Sequence, residues 1–371
     1  MPSHVLVFGM TDKRGGVESF IMNATGAIDT RKVKFDYIVN TDTVAYEEEL
    51  KNRGASIIHF PMRAKHPLKF RQHASSFFRE NADKYDAIWV NVCSLSNVDY
   101  LVYAKKYGIK TRVIHCHNSQ STDSRLRDML HEINKRRIQS YATDYWTCAD
   151  SASDWFYGAN IRSSSHYKVV PNVIDPKEYS YDLKKRNKFR QLLGYADEDI
   201  LIGNVGRLHP QKNQRFLIDS FEVLRRNNQN VKLAIAGQGD LRESLENYIR
   251  LKNLDGSVKL LGEITDTNDF YQAMDVFAFP SLYEGFSIAL LEAQANGVPA
   301  VISEGNPSEA VINDNVRRMA LDSPEAWAAA LERQVGRRID ASSNKIPGSK
   351  FDITVQGNDL ESFFKHASTG K

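Results

Sequence analysis

The 371-residue chain has no apolar run of the roughly 18 residues that a membrane-crossing helix needs. Its opening, MPSHVLVFGM, has only a short apolar stretch and no cleavage-site pattern, so it reads as a first buried strand and not as a signal peptide. Cysteine is scarce: Cys93, Cys116 and Cys148 are an odd number with no C-x-x-C spacing. That argues against a disulfide framework or a zinc site and fits a reducing cytosol. The net charge is only +3, too little to point to nucleic acid. No G-x-G-x-x-G follows the first apolar run, which argues against a nicotinamide site. Short-period repeats and long low-complexity segments are also missing.

What remains is an ordinary globular composition, 42% hydrophobic and 26% charged, in a chain long enough for two domains with separate cores. The charge is unevenly spread. Between residues 61 and 140 there are 15 Lys/Arg against 7 Asp/Glu, an excess of +8, so the rest carries −5. Arg63, Lys65, Lys69 and Arg71 form one basic cluster, and Arg125, Arg127, Lys135, Arg136 and Arg137 another. Such clusters are either a solvated face or a surface that meets anionic lipid headgroups or a pyrophosphate-bearing substrate.

Short apolar runs alternate with longer amphipathic segments. Strands are predicted over 4–9, 35–40, 56–60, 87–91, 111–115, 144–148 and 168–170, with helices over 17–28, 67–81 and 125–140. The alternation restarts with strands over 200–205, 231–236, 258–261, 276–279 and 300–302, and helices over 214–226, 241–251, 286–295 and 323–334. Nearly all-apolar strands alternating with helices imply an α/β fold of parallel sheets covered on both faces. The segment PNVIDPKEYSYDLKKRNKFR, with two prolines and a basic run, places the domain boundary near residue 178. The expected organisation is an N-terminal Rossmann-like domain, 1–178, and a C-terminal one, 179–352. A terminal helix, about 353–371, packs back on the first. Ligands of such sheets bind outside the carboxyl ends of the strands, so the chemistry is expected in the loops that follow them, around a crevice between the domains.

Five such loops stand out. Gly15-Gly16-Val17-Glu18 opens the first helix, where free amides and the helix dipole suit an anion, although a plain turn also uses two glycines. His115 and His117 share a strand face at i and i+2; with no third ligand at a plausible spacing, a sugar-hydroxyl contact is the better reading than a metal, and one of the two fits a structural histidine. Gly206-Arg207 with Lys212 brings a guanidinium fork and an ammonium to a turn entering a helix, as a diphosphate requires. Gly237-Gln238-Gly239 either admits a ligand or serves a turn. Finally, Glu284-Gly285-Phe286-Ser287 leads into the helix that carries Glu292. Two carboxylates can each take hydroxyl donors from a polyol, one from each sugar of a nucleotide sugar.

In order and spacing these segments resemble the retaining GT-B glycosyltransferases of family 4. The likeness covers Gly-Gly-Val-Glu, Val170-Pro171-Asn172, Ile174-Asp175, Gly206-Arg207 with Lys212, Glu284-x7-Glu292 and Ala295-Asn296-Gly297-Val298-Pro299, and is strongest to members that build bacterial capsule or exopolysaccharide. The resemblance implies transfer of a hexose or N-acetylhexosamine from a UDP-sugar to a glycan or lipid-diphosphate-linked acceptor, with no metal and no cofactor beyond the donor. It implies a cytoplasmic location, with peripheral contact of the basic face at the inner membrane. Arg207 and Lys212 would bind the diphosphate, opposite the Gly15 and Gly16 amides. Glu292 would bind ribose, Glu284 with the Gly285 and Phe286 amides the donor sugar, and His117 the transferred sugar. Leu261 and its neighbours would lie near the base. Two departures stand out: Pro171-Asn172-Val173 replaces Pro-Asn-Gly, and Glu304-Gly305-Asn306 replaces a glycine pair. A nucleotide-sugar epimerase and a non-catalytic sugar-nucleotide-binding protein are the rival readings.

Overall fold

The computed structural model describes residues 2–118, 124–264 and 267–369. The chain forms two compact units, one of Met1–Val173 with Ile353–Lys371 and one of Ile174–Asp352. The division falls at Val173/Ile174, ahead of the residue 178 expected from composition. The proline-containing stretch around Asp175 to Ser180 packs with the second unit, where Tyr179 and Ser180 bond Glu292 and Gln272.

The first unit is built on β1 (Ser3–Phe8), β2 (Val33–Val39), β3 (Ile57–His59), β4 (Ala87–Val92), β5 (Thr111–Cys116), β6 (Asp144–Thr147) and β7 (Tyr167–Val169). Their order is β3-β2-β1-β4-β5-β6-β7, every pair parallel. The side chains alternate between two buried faces, as a sheet covered on both sides demands. Ile88, Val90, Ile114 and Cys116 join one core with Phe70, Phe78, Tyr100 and Leu101 from the helices Pro67–Asn81 and Asp99–Lys106. Trp89, His115 and Trp146 point to the opposite face, against Phe20 of the helix Gly16–Gly26.

That second face is closed by the helix Ile353–Thr369. Phe364, fully buried, meets Trp89 at 5.6 Å, Trp146 at 5.9 Å and Phe35 at 6.0 Å between ring centroids. Ser3 Oγ donates to the Phe364 carbonyl at 2.8 Å. Gly357 sits mid-helix, where glycine ordinarily costs about 1 kcal/mol. A Cβ there would lie 2.6 Å from the Ala27 Cβ, so its absence is what lets the helix approach. Phe364→Ala is expected to lower the unfolding free energy by about 3–5 kcal/mol, read from the urea midpoint; a shift under 1 kcal/mol would mean that the helix contributes little to the unit.

The second unit holds β8 (Ile200–Val205), β9 (Val231–Ala236), β10 (Val258–Gly262), β11 (Val276–Phe279), β12 (Ala300–Ser303) and β13 (Val316–Met319) in the order β10-β9-β8-β11-β12-β13, again all parallel. β13 was not anticipated. Its sequence, VRRM, is not an apolar run; as the sheet's edge it pairs on one side only, with β12, and leaves Arg317 exposed. The helices expected over 286–295 and 323–334 begin at Ile288 and Pro324, because Ser287 and Ser323 serve as N-caps that accept from the Leu290 and Ala326 amides. The segment expected as one helix over 125–140 is the helix Arg125–Lys135 followed by a separate turn, Ile138–Ser140. In both sheets the chain winds outward in one direction, then returns to continue on the other side. The reversal lies between β1 and β4 in the first unit and between β8 and β11 in the second.

Candidate active site

Strand order selects the loops that matter, because the loops after the two strands at a reversal splay apart and leave a ligand-sized gap. In the second unit these loops are the predicted ones, after β8 and after β11. The first runs through Gly206, Arg207 and the turn Pro210–Lys212 to Asn213, whose φ of 52° enters the helix Gln214–Asn227. His209 Nδ1 accepts from the Gln211 amide and fixes that turn. Gln211 ties the loops together: its Nε2 donates to the Tyr283 carbonyl at 2.9 Å, and its own carbonyl accepts from the Leu282 amide at 2.7 Å.

Across this seam Lys212 Nζ donates to Glu284 Oε1 at 2.6 Å and lies 4.7 Å from the centre of the Phe279 ring. The two side chains are 15% and 9% exposed. Arg207 is different. Its side chain is exposed and has no hydrogen bond or ion pair among the described residues. The sheet end thus presents one engaged ammonium, its carboxylate and one unengaged guanidinium.

Gly237 and Gly239 serve this loop from behind. With φ of 145° and 158°, they let the turn after β9 lie against it. A Cβ at Gly237 would come within 2.0 Å of the Gly206 carbonyl oxygen, and one at Gly239 within 2.3 Å of that of Leu208. The Leu208 amide donates to the Gln238 carbonyl at 2.9 Å. Of the two readings of this Gly-Gln-Gly segment, the backbone supports the turn. Gly237→Ala is expected to displace the Arg207 loop and cut activity far more than the added methyl suggests, as a comparison of turnover with thermal stability would show.

Glu292 lies on the helix Ile288–Ala295. Tyr179 Oη donates to its Oε1 at 2.8 Å and Tyr271 Oη to its Oε2 at 2.9 Å. Burial pushes its carboxyl up to about 7, against the pull of the two hydroxyls. A carboxyl raised in the folded state binds its proton more tightly there than in the unfolded chain. Its contribution therefore favours folding at low pH and is lost as pH climbs from about 4.5 to about 7. Glu292→Gln, neutral throughout, is expected to gain stability relative to the parent across that window and hold a constant difference above it; parallel pH profiles of urea unfolding would remove Glu292 as the cause.

Leu261 lies within β10, half-buried; Thr265 and Asp266, just beyond, are outside the described residues. Gly285 and Phe286 precede the Ser287 cap. The Phe286 ring is not open to a ligand: it is buried, stacked on Phe351 at 5.0 Å.

In the first unit, Gly15 is the extended N-cap of the helix that starts at Gly16. The helix end already has an anion beside it. Glu18, 7% exposed, accepts from Thr11 Oγ1 through one carboxylate oxygen, and the other lies 2.7 Å from where a Gly15 Cβ would be. His117 follows β5. Asn91, at the end of β4, donates through Nδ2 to the Phe8 carbonyl at 3.3 Å, which turns its Oδ1 toward His117 Nε2 at 2.9 Å. The His117 proton therefore sits on Nε2, and Nδ1 is left as an acceptor with no partner among the described residues. Burial drives this imidazole down to about 3, so it is neutral near pH 7. His115, fully buried and bonded to the Val170 carbonyl at 3.1 Å, is the structural member of the pair. No cluster of three or more His, Cys, Asp or Glu placed to hold a metal occurs among the described residues. No described helix is long and apolar enough to cross a membrane.

Sequence reasoning missed Asn91, Gln211, Tyr179 and Tyr271. Asn91 carried a signal, a polar residue ending a buried strand at the reversal. Tyr179 lay in a segment read as linker.

Comparison with known proteins agrees with this architecture. Residues 185–338 match the family described as glycosyl transferases group 1. Over 326 residues the chain is 30% identical to the putative glycosyltransferase EpsF of Bacillus subtilis, covering 86% of this chain and 84% of that one. It is 21% identical over 362 residues to the capsular polysaccharide biosynthesis glycosyltransferase CapH of Staphylococcus aureus, covering 95% of each. Anabaena HepE, solved in complex with UDP and glucose, superposes with a TM-score of 0.79 at 19% identity, covering 98% of this chain and all of that one; at such identity the likeness concerns the fold.

Proposed function

The chain belongs to the group 1 glycosyl transferases, and on that premise we propose that it moves a hexose or N-acetylhexosamine from a UDP-sugar to a glycan or lipid-diphosphate-linked acceptor in cell-surface polysaccharide assembly, with retention of anomeric configuration. Its two Rossmann-like units make the GT-B fold of such enzymes. The observation that carries the reading is the pairing of Lys212 with Glu284 beside the unengaged Arg207, at the strand reversal of the second unit.

Arg207 offers five N–H donors in a fork that matches phosphate oxygens, and none of them is committed among the described residues. Lys212 adds a second cation, already desolvated. As the bond from the anomeric carbon to the diphosphate breaks, negative charge grows on the leaving oxygen, and preformed cations stabilise it without reorganising. The acceptor oxygen bonds the anomeric carbon on the face the diphosphate leaves, and its proton passes to the departing phosphate oxygen. Glu284, beside Lys212, accepts hydroxyls of the donor sugar. Each Glu292 oxygen holds one tyrosine hydroxyl and keeps a second lone pair for the ribose diol. His117 Nδ1 accepts a hydroxyl of the transferred sugar.

A bound nucleotide stabilises the fold by about 2.7 kcal/mol at a hundred times its dissociation constant. UDP and one UDP-sugar are therefore expected to raise the melting temperature by several degrees, and Arg207→Ala to abolish the rise. Product analysis by NMR should show the donor's anomeric configuration kept; an inverted linkage rules out the same-face route. Donor incubated without acceptor should not isomerise, which separates transfer from epimerisation.

A further inference from the structure

A glutamate side chain turns about several single bonds, so a carboxylate that is to take two neighbouring hydroxyls at once needs its plane fixed by other groups. Glu292 has such groups. Among the described residues its side chain has two hydrogen-bond partners, both phenols, one on each oxygen: Tyr179 at 2.8 Å and Tyr271 at 2.9 Å. No cation pairs with it among those residues.

The phenols are themselves held. Tyr271, on the helix Thr267–Ala273, is fully buried, with its ring 5.8 Å from that of Phe277. Its hydroxyl also lies 3.0 Å from the Ala289 carbonyl. Ala289 is one turn before Glu292 on the same helix, so one hydroxyl rests against that helix's backbone and its carboxylate together. Tyr179 comes from the segment ahead of Asp182. Its carbonyl accepts from Asn296 Nδ2 at 2.9 Å, one turn after Glu292. The fully buried Gln272 clasps the residues that follow, donating to the Ser180 carbonyl at 3.0 Å and accepting from the Asp182 amide at 2.8 Å. The two tyrosine rings meet edge to face, 6.2 Å between centroids.

One hydroxyl on each oxygen fixes the plane of the carboxylate and leaves a lone pair free on both. The 2′- and 3′-hydroxyls of a ribose are neighbours on one face of their ring, and a carboxylate held in one plane can accept both. A 2′-deoxy sugar leaves one of those lone pairs without a donor. We propose that Tyr179 and Tyr271 are positioning residues that aim Glu292 at the ribose diol and so make the site select ribonucleotides over 2′-deoxyribonucleotides. The inference rests on the reading of Glu292 as the ribose carboxylate.

The test is calorimetric titration of the full chain with UDP and with 2′-deoxy-UDP. It is run at pH 9, well above the value of about 7 to which burial raises this carboxyl, so that Glu292 is ionised. The parent is expected to bind UDP about 10- to 100-fold more tightly than the deoxy form, the effect of one hydrogen bond to a charged group. In Tyr179→Phe and in Tyr271→Phe the UDP affinity is expected to fall to within a few-fold of the deoxy affinity, which itself stays nearly unchanged. Should Tyr271→Phe fail to fold, Tyr179→Phe, at a half-buried position, carries the same test. Equal losses for both nucleotides, with the parent's preference kept, would mean that the phenols only satisfy a buried carboxylate and would overturn the proposal. So would a parent that does not discriminate. Glu292→Gln separates the two levels of the argument. Preference kept in that variant removes Glu292 from the ribose, and this inference with it; preference lost there but kept in both tyrosine variants overturns this inference alone.

Discussion

Lys212→Ala is expected to lower kcat/KM for sugar transfer by about 10²- to 10³-fold, the usual effect of deleting one fixed charge-stabilising group from a reaction that builds up negative charge. The interpretation needs a second variant, because Lys212 also faces a carboxylate that is 9% exposed. Removing one side of a buried ion pair typically costs about 3–5 kcal/mol, and this pair, partly open to water, belongs near the lower end. Lys212→Met/Glu284→Gln removes both charges and keeps the bulk. Its urea midpoint is expected to return toward that of the parent while turnover stays low. Recovery of both together would mean that Lys212 only holds the two loops in register and does not act on the leaving group. Arg207→Ala supplies the complementary case. Its side chain is exposed and has no hydrogen bond or ion pair among the described residues, so activity should fall with stability unchanged.

His117→Ala is expected to reduce kcat/KM by about 10- to 100-fold, from the lost hydrogen bond and the looser placement of the sugar that follows. UDP affinity should hold, since the groups assigned to the nucleotide lie elsewhere in the chain. Two further measurements separate this role from general packing. The imidazole is pushed down to about 3 by burial, so the activity profile of the parent should show no inflection from His117 between pH 5 and 8. An inflection near 6.5 that vanished in the variant would contradict the neutral-acceptor role. Asn91→Leu, which removes the Oδ1 that holds the proton on Nε2, should reproduce part of the loss through His117 without touching substrate.

Most of the sheet architecture was legible in the sequence because parallel strands buried on both faces must be almost wholly apolar. The runs at 200–205, 231–236 and 276–279 coincide with β8, β9 and β11. β13 was lost for the opposite reason: an edge strand tolerates Arg317 and Arg318. The site residues could be named but not their linkages. Lys212 and Glu284 are separated by 72 positions, and only the strand order brings the two loops side by side. The tyrosines on Glu292 were hidden because one lies in a segment that looked like a connector and the other in a helix, Thr267–Ala273, with too short a period to register. The Gly-Gly-Val-Glu segment read either as an anion site or as a plain turn. Glu18, counted within the motif, itself lies against the helix end, a consequence of a side chain folding back three residues that spacing alone does not reveal.

The return of Ile353–Thr369 to the first unit bears on how the protein is born. A ribosome that has released Val173 has made all seven strands of the first sheet but not the helix that covers Trp89, Trp146 and Phe35. The contiguous second unit must be synthesised in between, a delay on the order of ten seconds or more at usual elongation rates. Throughout that interval an aromatic face lacks its cover, and the nested unit has the opportunity to fold first. A nascent chain stalled before residue 353 is therefore the species on which chaperones and aggregation compete, and shortening the terminal helix should lower soluble yield in cells well before it alters anything at the loops that follow β8 and β11.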